Sequence, residues 1–167
     1  MIDKSSALWQ YLSIHQRELL EDGEYLFDHV EKAKPLHDYS YLVFPYAKAY
    51  EGFLKKLFFD MGFIDEGTYR GFHFRIGRAL NPSLEKELRH ESIYDKIIGY
   101  CGSRQLANEL WQVWKKGRNL LFHYFPHNLH KLTLSQAQEI RNEIVAAMAA
   151  AISACEIPQQ RKEEQES

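Results

Sequence analysis

From Arg104 onward the chain carries Leu106, Leu110, Trp111, Val113, Trp114, Leu120 and Leu121, spaced so that a helix through them is apolar on more than one side. An ordinary surface helix buries one stripe. A helix apolar on several faces must run through the middle of a bundle or share a face with a second subunit. Ser103 is placed to cap its start and Pro126 to end it.

The other strong patterns are helical too. Phe44, Ala47, Tyr50, Phe53, Leu54, Leu57 and Phe58 repeat at helical spacing over Tyr41–Met61, with Pro45 near the first turn and Gly62 as the stop. Residues 5–33 form a first helical region, capped by Ser5 or Ser6, interrupted at Gly23 and closed by Pro35. Between Gly62 and Gly102, glycines and Pro82 break the chain into short helices, with Phe72–Leu80, Ser83–His90 and a Ser92-capped Ile93–Tyr100 as candidates. His73, Arg75 and Arg78 in this region could line a groove. Thr133-x-x-Gln136 is a capping-box signal for a last helix running to about Cys155, whose Ala-rich stretch suits close helix packing. The expectation is an all-α helical bundle, one domain over residues 1–155, with 156–167 a charged, frayed tail.

Composition bounds the function. The chain of 167 residues is 45% apolar and 14% aromatic, enough for a real core and incompatible with disorder of the body. No apolar run reaches membrane-spanning length, and Met1-Ile2-Asp3-Lys4 lacks a signal-peptide pattern, so no membrane partner is expected. Cys101 and Cys155 suggest neither a disulfide framework nor a metal site, which points to a reducing cytoplasm. A formal charge of −2 argues against a binder that holds nucleic acid by bulk charge alone.

Charge is nevertheless uneven. Lys115, Lys116, Arg118 and Lys131 surround His123, His127 and His130, and no acid occurs from Trp111 to Gln138. A cationic stretch of this kind suits a phosphate-bearing substrate; it equally suits a basic helix C-terminus complementing the helix dipole. Within it, Arg118-Asn119-Leu120-Leu121-Phe122-His123 combines a permanent cation, an amide and an imidazole. An Arg binds phosphate oxygens bidentately, and a His moves protons near neutral pH. Attack of a ribose 2′-hydroxyl on the adjacent phosphate needs a proton acceptor, a proton donor and a cation, and needs neither metal nor cofactor. On an ideal helix Arg118 and His123 lie roughly 140° apart, so a curled Arg, a loosened last turn or a second copy of the helix must bring them together.

At these residues the chain resembles the HEPN superfamily, small helical proteins marked by Arg-x4–6-His near the end of a helix with a polar residue after the Arg, here Asn119. The likeness covers most of residues 40–155 and is nearest to the HEPN domain of RNase LS-type toxins. It implies a HEPN-like bundle that dimerises through the Arg–His helix, and a metal-independent endoribonuclease. Arg118 and His123 would be catalytic, with Asn119 orienting the imidazole or the substrate. An acidic residue on an earlier helix commonly faces the pair, and Glu51 matches best, pairing with Arg118 or orienting His123. Lys48, Lys115, Lys116 and His127 would contact RNA. The implied partners are RNA, a second copy and a cognate antitoxin, within a toxin–antitoxin or phage-defence system.

Two plainer readings stand beside this one. Lys48, Glu51 and Lys55 also read as a surface ion-pair row. A non-catalytic HEPN-like dimer that binds a partner protein or RNA would carry the same motif. His123-x3-His127-x2-His130 makes a poor metal triad, because Pro126 breaks the helix between the first two and no acid completes the set.

Overall fold

The computed structural model describes residues 2–30, 35–123, 126 and 130–157. Among them it is all helical: α1 (Ala7–Tyr11), α2 (Ile14–Val30), α3 (Phe44–Asp60), α4 (Glu66–Arg70), α5 (Ile76–Ala79), α6 (Ile93–Cys101), α7 (Arg104–Trp114) and α8 (Leu134–Ala154). Short 3₁₀ turns at Ser40–Val43 and Lys86–Glu91 join them, and a π-helical turn, Lys115–Asn119, continues α7. No helix among the described residues is long and apolar enough to cross a membrane.

Local signals account for most helix starts. Ser92 Oγ accepts from the Asp95 amide and Ser103 Oγ from the Leu106 amide, opening α6 and α7. Thr133 and Gln136 cap each other reciprocally at the start of α8, as their spacing implies. Ser6 Oγ accepts from the Trp9 amide to open α1.

The first helical region breaks in a different place from the expected one. Gly23 sits inside the uninterrupted α2, and the break falls at Leu12–Ser13. Ser13 and Gln16 then cap each other, an amide-to-side-chain bond of 3.1 Å one way and 3.3 Å the other. Gly23 is there for packing. A Cβ at that position would lie 2.3 Å from Cε2 of Tyr46, so only glycine lets α3 press its ring against α2. In the connecting region, α5 is shorter than Phe72–Leu80. A helix at Glu66–Arg70 escaped the periodicity altogether, although Asp65 caps it through the Thr68 amide at 2.7 Å.

The core is one continuous cluster from Leu8 to Cys155, with Tyr46, Tyr50, Phe53, Leu54, Leu57 and Phe58 of α3 at its centre. Tyr50, wholly buried, donates to the Leu110 carbonyl at 3.0 Å and ties α3 to α7; burial pushes its hydroxyl pKa well above the ordinary value. Helix α7 packs on α6 and α8 with Leu106, Ala107, Leu110, Val113 and Trp114 buried, so its several apolar faces are used within one chain.

The cysteines correct the expectation drawn from composition. Cys101 at the end of α6 and Cys155 just after α8 form a disulfide, closing a separation of 54 residues. Beside it, the Tyr100 hydroxyl donates to the Glu156 carbonyl at 2.8 Å. With only two cysteines so far apart, spacing held no hint; the fold brings the two helix ends together. The inference of a reducing compartment from cysteine usage therefore lapses.

Candidate active site

The Arg–His segment does not continue as an α-helix. After Trp114 the backbone widens into the π-turn, and the Leu120 amide bonds the Lys115 carbonyl at 2.9 Å, an i→i+5 closure. The 140° separation assumed α-geometry, and that premise fails here. Such widened turns recur at functional sites because they re-aim side chains. Gly117, within this turn, is buried. A Cβ there would lie 3.1 Å from Cδ1 of Ile144 and 3.4 Å from Cγ2 of Ile140, so α8 packs directly on the backbone of the turn.

The turn aims Arg118 at α3. Its Nε lies 3.4 Å from Oε2 of Glu51, and its guanidinium carbon sits 5.5 Å from the centroid of the Trp114 ring. The pair is about one-third exposed, with side-chain exposures of 38% and 35%. Around it lies an open cleft of about 390 Å³ lined by Phe44, Ala47, Lys48, Glu51, Arg118 and Phe122. Lys48, one turn before Glu51 on α3, adds a second cation to the same cleft. Phe44 and Phe122 meet edge to face with centroids 5.6 Å apart, both substantially exposed, and wall one side.

The structure thus brings together Arg118, Glu51 and Lys48. His123 follows the turn in an exposed bend and is not enclosed by apolar side chains. Asn119 is exposed and does not line the cleft, nor does the exposed Lys115. Lys116 is directed elsewhere: its ammonium pairs with Glu143 at 2.7 Å and Glu139 at 3.8 Å, both on α8. His127 lies outside the described residues.

Trp114, Phe44 and Phe122 had no role in the sequence-based site. The Trp114–Arg118 contact was legible as an i, i+4 pair at the helix end. The Phe44–Phe122 contact was not, since it joins residues far apart in the chain.

Chemically, the cleft presents a guanidinium held in a set direction, a nearby ammonium and an aromatic wall. Such a set can hold a phosphodiester oxygen and flank it with a base. Comparison with protein-family models finds no match, and comparisons with curated proteins and with solved structures find none either.

Proposed function

We propose that the protein is a metal-independent endoribonuclease of HEPN type, acting as the toxin of a toxin–antitoxin or phage-defence system. The observation that carries the reading is Arg118, aimed by Glu51 and Trp114 into a cleft that also holds Lys48. His123 follows in the same segment and is exposed, as a proton carrier must be.

In this reading the Arg118 guanidinium binds the scissile phosphate and stabilises the charge that builds on its oxygens. His123 takes the proton of the 2′-hydroxyl as that oxygen attacks phosphorus. The 5′-oxygen leaves and receives a proton from a second imidazole, that of the other subunit. The products are a 2′,3′-cyclic phosphate and a 5′-hydroxyl. Asn119 orients the imidazole or the substrate, and Lys48, Lys115 and His127 supply RNA contacts. Lys116, paired with α8 carboxylates, is the weakest of these contacts.

Dimerisation belongs to the same proposal. With α7 satisfied inside one chain, its support comes from Phe44 and Phe122, which line the cleft and are 54% and 37% exposed. Action on cellular RNA places the protein in the cytoplasm with a cognate antitoxin, and there Cys101 and Cys155 would be thiols.

One observation favours the alternative. Arg118 already has a carboxylate and an aromatic partner, as a structural arginine would. A non-catalytic dimeric module that binds a partner protein or RNA would keep that arrangement. The deciding experiment is RNA cleavage by wild type and His123→Ala with chelator present. Cleavage by wild type alone, with cyclic-phosphate ends, supports the nuclease. Equal rates, or none from either protein, hand the site to the interaction module.

A further inference from the structure

A second and larger cleft, about 490 Å³, opens between the segment that carries α4 and α5 and the start of α6. Its walls include His73, Phe74, Arg75, Arg78, His90 and Lys96. Its two carboxylates are engaged. Asp65 caps α4, and Glu91 pairs with Arg78 at 2.9 Å. Among the described residues, Lys96 donates to the Phe63 carbonyl at 3.2 Å and has no carboxylate partner, and neither does the exposed Arg75 guanidinium. The cleft therefore keeps a cationic excess on a chain that is acidic as a whole.

Beside it stands Phe72, 98% exposed. Its neighbour Phe74 turns inward to meet Phe58 with centroids 6.5 Å apart, while the Phe72 ring faces water. Phe72-His73-Phe74-Arg75 thus offers one free aromatic face next to free positive charge.

This region is connected to the Arg118 cleft in two ways. Lys48, Glu51 and Lys55 follow one side of α3, rising about 10 Å, and the Lys55 ammonium reaches the Gly71 carbonyl at 3.5 Å, at the foot of the Phe72 segment. On the other side, α5 rests on the tryptophan beneath Arg118. A Cβ at Gly77 would lie 2.8 Å from Nε1 of Trp114.

We infer that the Phe72 segment and its cleft form a second contact for single-stranded RNA, with Arg75 and Lys96 holding phosphates and Phe72 stacking on a base. A strand held at Arg118 runs along the Lys48–Lys55 side of α3 to reach it. The ring selects single strands, because a base must be unstacked before an aromatic can cover its face. This inference rests on the RNA substrate proposed above and extends it.

The test is fluorescence anisotropy with the full chain carrying His123→Ala, so that RNA survives, and a labelled single strand of about 16 nucleotides, the upper site size of common single-strand binders. Phe72 and Arg75 are exposed, so Phe72→Ala and Arg75→Ala keep the fold, which an unchanged Tm verifies. Phe72→Ala is expected to weaken single-strand binding roughly 5- to 100-fold and to leave duplex binding as it was. Arg75→Ala is expected to lower the slope of log K against log salt by about 0.7. Parental affinity in both variants, equal losses for duplex and single strand, or no RNA binding by the parent each overturns the second contact. Cleavage is scored separately with the His123 protein. A wild type that cuts RNA while Phe72→Ala binds normally keeps the nuclease and loses this contact. Phe72-dependent binding without any cleavage keeps this contact and loses the nuclease.

Discussion

The Arg118 guanidinium lies 3.4 Å from the Glu51 carboxylate, an ion pair that joins the π-turn after α7 to the middle of α3. Being about one-third exposed, such a pair contributes at most about 1 kcal/mol. Its consequence is directional: it points a permanent cation across the cleft that Lys48, Phe44 and Phe122 line.

Glu51→Gln should therefore separate positioning from stability. The expected Tm change is no more than about 2–4 °C. RNA cleavage should fall, by less than in Arg118→Ala, because the guanidinium remains and only its direction loosens. Calorimetry and cleavage rates on the same preparation give both numbers. A cleavage rate equal to wild type would show that Trp114 alone aims Arg118.

His123→Ala and Arg118→Ala should each abolish cleavage without unfolding the chain. Loss of proton transfer is expected to cost about 10²- to 10⁴-fold, and loss of the cation about as much. Arg118→Lys should restore only part of the rate, since an ammonium lacks the planar fork and stacks less well on Trp114. Single-turnover cleavage in chelator measures all three. Full activity in Arg118→Lys would point to a simple charge requirement.

Reduction of Cys101–Cys155, or Cys101→Ser, should lower stability while leaving the Arg118 cleft in place. The chain-entropy model assigns about 4 kcal/mol to a loop of this length. Thermal melts with and without reductant give the difference, and a mass increase of about 2 Da on reduction checks the bond itself. A Tm indifferent to reductant in a protein shown to be oxidised would mean the packing of α6 on α7 already holds that end of the chain.

Gly23→Ala tests the α2–α3 contact. With Tyr46 Cε2 only 2.3 Å from the added carbon, ring and helix must separate. Overpacking costs about 1–3 kcal/mol against a gain of about 1 kcal/mol in helix propensity from alanine, so a net destabilisation of up to about 2 kcal/mol is expected. Urea unfolding measures it. Stability equal to or above wild type would mean the Tyr46 ring can swing aside together with Glu24, which accepts its hydroxyl at 2.5 Å.

Asp38 gives a pH dependence with a defined sign. Burial alone raises its pKa, but Ser40 through hydroxyl and amide, and the Leu132 amide at 3.0 Å, together hold the carboxyl below its ordinary value of 3.8. A depressed folded-state pKa means stability that is fully present above the ordinary value and is lost as pH falls through the lowered one. Asp38→Asn should therefore narrow its stability gap to wild type below about pH 4 and keep the full gap near neutrality. Tm against pH for both proteins reads this directly; a gap that widens in acid would reverse the sign and refute a stabilising Asp38 carboxylate.

Helix identity in this chain came from signals that act over a few residues. The all-helical character, the caps at Ser92, Ser103 and Thr133, and Pro45 in the first turn of α3 all follow from local hydrogen bonding and periodicity. Glu51 as the acid facing the motif came instead from the family resemblance, because its spacing to Lys48 and Lys55 reads equally as a surface ion-pair row. The Asp65 cap and the Ser13–Gln16 box are equally local, each closed within three residues. What depends on the approach of distant segments was invisible. Gly23 reads as a break in one dimension and is a seat for Tyr46 in three. At the π-turn, α8 packs on the backbone of Gly117, while Glu51 and Trp114 hold the direction of Arg118. The same packing sends Lys116 to the α8 carboxylates, sets Phe122 against Phe44 and joins Cys101 to Cys155. Caps and periodicity are settled between neighbours along the chain, whereas these pairings exist only once burial of the α3 core has met the entropy of closing the long loops between them.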